Sequence, residues 1–346
     1  MTVPAKSLEE IAKLAGVSRS TVSRVVNEDP NVGEATREKV LQVIQEANYH
    51  PNLAARGLAA GRTRILGVVI PRGVSALFSD PYFPLLLQGV SATCNAHDHS
   101  VMLWLAEPEY ERRMLHKILY SNLIDGVIVA SALADDPMVE ALSAGTLPFI
   151  LVGRHPANQN VNYIDIDNMN SAREMVMHLL RQGRKRVATI TGPHSMIPGS
   201  DRLEGYLAAL RDRGLAPDPN LMIESDFSEE GGRAAMQQLL PYAPDAVFAA
   251  SDMMAVGALR ALREAGRHVP DDVAVAGFDD MPFAAGSDPP LTTVRQPVQR
   301  MGAVVAETLI DLIEHPSPTP RRVVLPTEIM IRESCGAGRP AGKRSA

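Results

Sequence analysis

The chain has 346 residues, 45% hydrophobic and 21% charged, which is too long for a single core and outside the compositions of fibrous or disordered proteins. No apolar run reaches the roughly 18 residues of a membrane span, Met1–Glu10 lacks the apolar stretch of a secretory leader, and the distant Cys94 and Cys335 read as free thiols, so a cytoplasmic protein is expected. The net charge of −6 argues against nucleic acid, yet residues 1–62 hold 8 basic and 7 acidic side chains against 26 and 33 in the remainder, so a DNA-reading role must rest on motif geometry rather than charge.

Ser7-Leu8-Glu9-Glu10 forms a capping box, with Leu8, Ile11, Ala12 and Ala15 on one face of the helix that follows. Gly16 stops that helix, Val17 reads as a buried plug, and Ser18 can cap a second helix over about 19–26 with Val22, Val25 and Val26 inward. A third helix is predicted over about 34–48, with Val40, Ile44 and Ala47 inward and Gly33 at its cap. Two short helices joined by a tight Gly-containing turn are the helix-turn-helix pattern. Its second helix meets base edges with its N-terminal residues, here Arg19, Ser20 and Thr21, with Arg24 one turn on. The arginine fork suits guanine, while Ser18, Thr21, Ser23, Asn27 and Thr36 suit phosphates. A solvated helical bundle without a nucleic-acid role is the alternative at this point.

The run L-E-E-I-A-K-L-A-G-V-S-R-S-T-V-S-R-V-V-N, then T-R-E-K-V, then N-Y-H-P-N-L-A-A-R-G-L-A, resembles the headpiece of the lactose-repressor (LacI/GalR) family over residues 7–63. The resemblance implies a hinge helix from Asn52 to Ala60 that forms on operator DNA. Leu58 would wedge into the minor groove, with Ala55 in close groove contact beside it. Gly57 departs from the polar residue usual there and costs a helix roughly 1 kcal/mol relative to alanine. Nine residues are also too few for a stable isolated helix, so the segment is expected to order only on DNA.

From Thr63 the pattern becomes alternating strands and helices. Strands are predicted at Ile65–Ile70, Val101–Leu105, Gly126–Ala130 and Phe149–Val152, with helices at about 82–97, 108–120 and 136–145. A second series follows at Val187–Thr191, Met222–Glu224, Ala246–Ala249 and Val273–Gly277. Two such series imply two doubly wound lobes of parallel sheet, with a ligand crevice at the strands' carboxyl ends. The resemblance extends across this region through P-Y-F at 81–83, D-G-V-I at 125–128, D-N at 167–168, D-R-L-E-G-Y at 201–206, S-D-M-M-A-V-G-A at 251–258 and G-F-D-D at 277–280. It implies three chain crossings between lobes, near 163, 291 and 325.

The expected architecture is thus α plus α/β: a helix-turn-helix headpiece over 1–51, a hinge helix and linker over 52–63, and a two-lobed periplasmic-binding-protein-like domain over 64–335. Its first lobe would hold about 64–162 and 292–324, its second about 163–291 and 325–335, with 336–346 a loose tail. The tail lacks leucine heptads, so a homodimer is expected, and its two-fold symmetry would match a near-palindromic operator.

Tyr82 and Phe83 follow the first strand and can stack on a sugar face, with core packing as the alternative. Arg154 ends the fourth strand and should point into the cleft, with a surface ion pair as the alternative. The resemblance implies that Arg202 and Asp279 grip effector and that Phe227 stacks on it, with Ser251 and Asp252 as further candidates. Aromatic faces and charged groups suit a sugar or glycoside. Purine-sensing relatives carry an aromatic where Arg154 stands, so a nucleobase or nucleoside corepressor is the second reading.

No cofactor or metal is expected, and His97-Asp98-His99 reads as a solvated turn. Asp279-Asp280 has no accompanying nucleophile and no phosphate-binding loop appears, so no enzyme is expected. A solute-binding protein would share the lobes but predicts a leader and no headpiece. The expected function is an allosteric repressor, released from operator by its effector through a coupling of about 1–3 kcal/mol.

Overall fold

The computed structural model describes residues 6–27, 29–49, 62–70, 74–105, 123–130, 133, 136–156, 158 and 160–337. The expected hinge helix with Asn52, Ala55 and Leu58, the helix expected at 108–120 and the tail beyond 337 lie outside the described residues. The chain divides into two compact units, Met1–Arg64 and Ile65–Ala346. Among the described residues no helix is long and apolar enough to cross a membrane.

In the first unit, α1 (Leu8–Ala15) begins in the capping box. The Glu10 N–H donates to Ser7 Oγ at 3.3 Å, and the Ser7 N–H to Glu10 Oε2 at 2.6 Å. Gly16 ends the helix at φ 64°, a conformation that glycine adopts without a Cβ clash. Ser18 caps α2 (Arg19–Val26) by accepting the Thr21 N–H at 3.1 Å. Gly33 starts α3 (Glu34–Glu46) without a side-chain cap. Ile11, Ala15, Val22, Val25 and Val40 form the buried centre, and Val17, Val26, Ile44 and Ala47 pack half-buried around it. Val17 is therefore a rim residue, not the buried plug that its place in the turn suggested.

The second unit holds two six-stranded sheets. The first has the order β11-β5-β4-β3-β1-β2, built from β1 (Ile65–Ile70), β2 (Ser100–Leu105), β3 (Gly126–Ala130), β4 (Phe149–Val152), β5 (Tyr163–Ile166) and β11 (Arg322–Leu325). The other has the order β12-β10-β9-β8-β6-β7, built from β6 (Val187–Thr191), β7 (Met222–Glu224), β8 (Ala246–Ala249), β9 (Ala274–Asp279), β10 (Thr292–Arg295) and β12 (Glu328–Met330). Every pairing is parallel except β10 with β12. The central strands are buried on both faces, which is why they read as continuous apolar runs.

Two of the expected crossings are corrected. β5 stays in the first sheet, paired Leu151 to Tyr163 and Val152 to Ile164, so the chain leaves that lobe after Ile166 rather than near 163. β10 stays in the second sheet, paired from Thr292–Ala276 to Arg295–Asp279, so the return falls after Arg295 rather than near 291. The last crossing lies between Leu325 and Glu328. A strand completes its ladder before it departs, because buried backbone groups abandoned midway would lack partners.

After the second crossing, the helix Val298–Glu314 packs on the helix Tyr82–Ala96 in the first lobe. The contact is backbone to backbone: a Cβ on Gly89 would lie 1.9 Å from the Gln299 carbonyl oxygen, and one on Gly302 2.1 Å from that of Leu86.

Candidate functional site

Between the lobes lies a cleft that is partly open to solvent. Its wall is drawn from strand ends in both sheets: Val152, Gly153 and Arg154 after β4, Asp165 and Ile166 at the end of β5, Ser251 after β8, Asp279 at the end of β9, and Gln296 after β10. Each sheet reverses strand order near one edge, β2-β1-β3 and β7-β6-β8.

A buried polar chain runs along the floor. Arg202 Nε donates to Asn168 Oδ1 at 2.9 Å, and its Nη1 donates to the Ala250 carbonyl at 2.6 Å and to Asp279 Oδ1 at 3.4 Å. The guanidinium lies 3.7 Å above the Phe278 ring, a cation–π contact that favours the charged form. Gln296 Nε2 donates to the same Asp279 oxygen at 2.6 Å. On the far side, Asn168 Nδ2 donates to Asp165 Oδ1 at 3.2 Å, and Asp165 also accepts the N–H groups of Ile166 and Arg154. The chain therefore links first-lobe Asp165 to second-lobe Arg202 and Asp279, and ends on Gln296 at a crossing.

Burial pushes the Asp279 carboxyl up to about 7, against the opposing pull of Arg202. Burial likewise pushes Asp165 up to about 6, although two backbone donors pull it down. Asp279 and Arg202 both line the cleft, so a carboxylate and a guanidinium face the same space.

The structure brings together Tyr82, Phe83, Arg154, Arg202, Phe227, Ser251 and Asp279 in this cleft. Tyr82 and Phe83 meet edge to face, with ring centroids 5.4 Å apart. Tyr82 donates its hydroxyl to Met301 Sδ at 3.8 Å, and Phe83 is almost wholly core. Phe227 sits at φ 68°, with its ring laid over Gly192. Ser251 caps the helix Asp252–Glu264 by accepting the Met254 N–H.

Two expectations change. Asp252 does not line the cleft; it is fully buried, accepting the Thr293 hydroxyl at 2.6 Å and the Met281 N–H at 2.8 Å, and so fastens β10 to the turn after β9. Arg154 reaches across the cleft mouth to Asp201, in the second turn of the opposing helix Ile197–Asp212. Asp80, Asp165, Asn168, Met196, Gln296 and Met301 also line the cleft and went unforeseen. The D-N pair at 167–168 was visible in the sequence, and its place at a strand's carboxyl end was the signal for Asn168.

On the headpiece, Arg19, Ser20, Arg24 and Asn27 are exposed, Ser18 is an exposed cap, and Thr21, Ser23 and Thr36 are half-buried. Arg19 Nε lies 2.9 Å from Glu9, and Arg24 Nε 3.9 Å from Asp29. Exposed pairs of this kind are worth under about 1 kcal/mol, so both guanidinium groups can change partners at little cost. The Ser18 hydroxyl bonds those of Ser20 and Thr21 at 2.7 and 2.8 Å.

Residues 7–52 match the profile of bacterial regulatory proteins of the lacI family, and residues 176–335 that of a periplasmic binding protein-like domain. The HTH-type transcriptional regulator CelR of Thermobifida fusca is 41% identical over 95% of this chain and 98% of its own length. The ribose operon repressor of Escherichia coli K12 is 34% identical over 95% of this chain and 99% of its own. Among solved structures, a CelR–cellobiose complex superposes with TM-score 0.76 at 38% identity, covering 95% of this chain and 99% of that one. A lac repressor dimer bound to operator and the anti-inducer ONPF superposes with TM-score 0.86 at 28% identity, covering 96% and 99%.

Proposed function

Because the chain belongs to the LacI family of bacterial transcription regulators, we propose that it is a dimeric repressor which a sugar of the cellobiose type, bound in the cleft, releases from a near-palindromic operator. The observation that carries this reading is the buried Arg202–Asp279 pair, which lines the cleft together with Phe227. Adjacent sugar hydroxyls can donate to a carboxylate and accept from a guanidinium, and a pyranose presents C–H faces to a ring. The relative crystallised with cellobiose supports a glucoside over a nucleobase. Arg154, engaged with Asp201, stands where the nucleobase reading calls for an aromatic ring.

In the proposed mechanism, Arg19, Ser20 and Arg24 read bases, and Ser18, Thr21, Ser23, Asn27 and Thr36 hold phosphates. Leu58, with Asn52 and Ala55, would kink the minor groove between half-sites. Sugar bound to Asp279 and Arg202 changes the lobe angle, and with it the spacing of the two hinge segments.

The test is to select a duplex from random-sequence DNA with the full chain, then titrate it by fluorescence anisotropy with and without cellobiose, ribose or hypoxanthine. A sugar should weaken binding about 5- to 150-fold, the range of a 1–3 kcal/mol coupling. Tighter binding with hypoxanthine, and no response to either sugar, would overturn the reading.

A further inference from the structure

Asp279 and Asp280 are neighbours with opposite surroundings. Asp279 faces the cleft, whereas the Asp280 carboxylate, only 6% exposed, faces away and spends both oxygens on arginines. Arg332 Nη2 donates to its Oδ1 at 2.6 Å, and Arg295 Nε donates to its Oδ2 at 2.6 Å. Arg295 is the last residue of β10, immediately before the second crossing, and Arg332 follows β12, just past the third. One carboxylate therefore joins the end of β9 to the chain at two of its three crossings. Arg332 is fixed in turn by donating Nη1 to the Leu291 carbonyl at 2.7 Å.

The backbone here needs such a fastening. Asp279 has φ 119° and Asp280 φ 55°, left-handed values that strain a residue with a Cβ. The conformation turns Asp279 toward Arg202 and lets its carbonyl accept the Gln296 N–H at 3.3 Å, on the crossing itself. We infer that Asp280 is a positioning residue: by clamping Arg295 and Arg332 it holds the strained turn that aims Asp279 at the effector, and it ties the grip on effector to the crossings about which the lobes rotate. The effector part of this inference rests on the proposed sugar-binding cleft.

Asp280→Asn keeps the shape but turns one acceptor into a donor facing an arginine N–H. In the full-length protein it should weaken cellobiose binding, read by calorimetry, at least about 10-fold. Amide exchange at Gln296 should accelerate by a similar factor. Arg295→Gln, which removes one arm at a half-exposed position, should shift both readouts in the same direction by less, and serves if Asp280→Asn does not fold. Wild-type exchange at Gln296 in the variants, or accelerated exchange with unchanged cellobiose affinity, overturns the proposal. A wild-type protein that ignores cellobiose while Asp280→Asn accelerates exchange refutes the sugar reading and leaves the positioning role standing.

Discussion

Arg154 donates through Nη2 to Asp201 across the mouth of the cleft, joining the chain just after β4 in one lobe to the second turn of a helix in the other. The arginine side chain is 41% exposed and the aspartate 16%, so the pair is solvated on one side and contributes little, on the order of 1 kcal/mol or less. Burial pushes the Asp201 carboxyl upward and Arg154 opposes that push. The pair spans the cleft mouth and costs little to break.

Arg154→Ala should therefore change sugar affinity by less than about fivefold while speeding both association and dissociation in stopped-flow titration. A hundredfold loss of affinity would return Arg154 to direct contact with effector.

Arg202→Ala should behave differently. It strips a buried carboxylate of its cation and leaves Asn168 and the Ala250 carbonyl without their donor. Breaking a buried pair costs about 3–5 kcal/mol, so sugar binding should be lost and the thermal midpoint should fall by several degrees. Near-normal binding of cellobiose by this variant would remove the pair from the site.

Sugar affinity should rise with pH. The carboxyl of Asp279 is held up to about 7, and sugar hydroxyls donate better to its ionised form. Affinity measured at pH 6, 7 and 8 should increase and then level off. Folding stability carries the opposite sign: the folded state holds the proton more tightly than the unfolded one, so this group's contribution is largest below about pH 4 and declines until pH passes about 7. Affinity that falls between pH 6 and 8 would contradict the assignment.

Gly192 is the seat of the Phe227 ring. A Cβ there would come within 2.0 Å of the ring, so the ring must turn away about its own side-chain bonds. Gly192→Ala should weaken sugar binding about tenfold or more with the headpiece's DNA affinity unchanged, as checked by calorimetry and anisotropy on the same preparation. Equal sugar affinities would show that Phe227 does not stack on the ligand.

On the headpiece, Arg24→Ala should weaken operator binding about 10- to 100-fold, equivalent to roughly 1–3 kcal/mol, and relax selectivity at one base pair in each half-site. A uniform loss across all sequences, with a shallower salt dependence, would make Arg24 a phosphate contact instead.

The sequence by itself determined the features governed by near neighbours. Ser7 and Glu10, three residues apart, specify the start of α1; Ser18 specifies α2; and runs such as Val127–Ala130 and Val247–Ala249 mark strands buried on both faces. Those signals are local because caps and side-chain periodicity act within one or two turns of chain. It also carried Arg202, Asp279 and Phe227, through positions matched to a family rather than through their own chemistry. Only the tertiary structure decided that Arg154 answers Asp201, 47 residues away, that Asp252 fastens Thr293 and Met281 instead of facing the cleft, and that Asp280 joins Arg295 to Arg332. It also moved two crossings past the ends of β5 and β10, because where a strand leaves its sheet is set by the ladder that it completes with another strand. A charged side chain takes its partner from whatever the fold brings within about 3 Å, and such pairings across crossings and between lobes leave no periodicity in the chain to read.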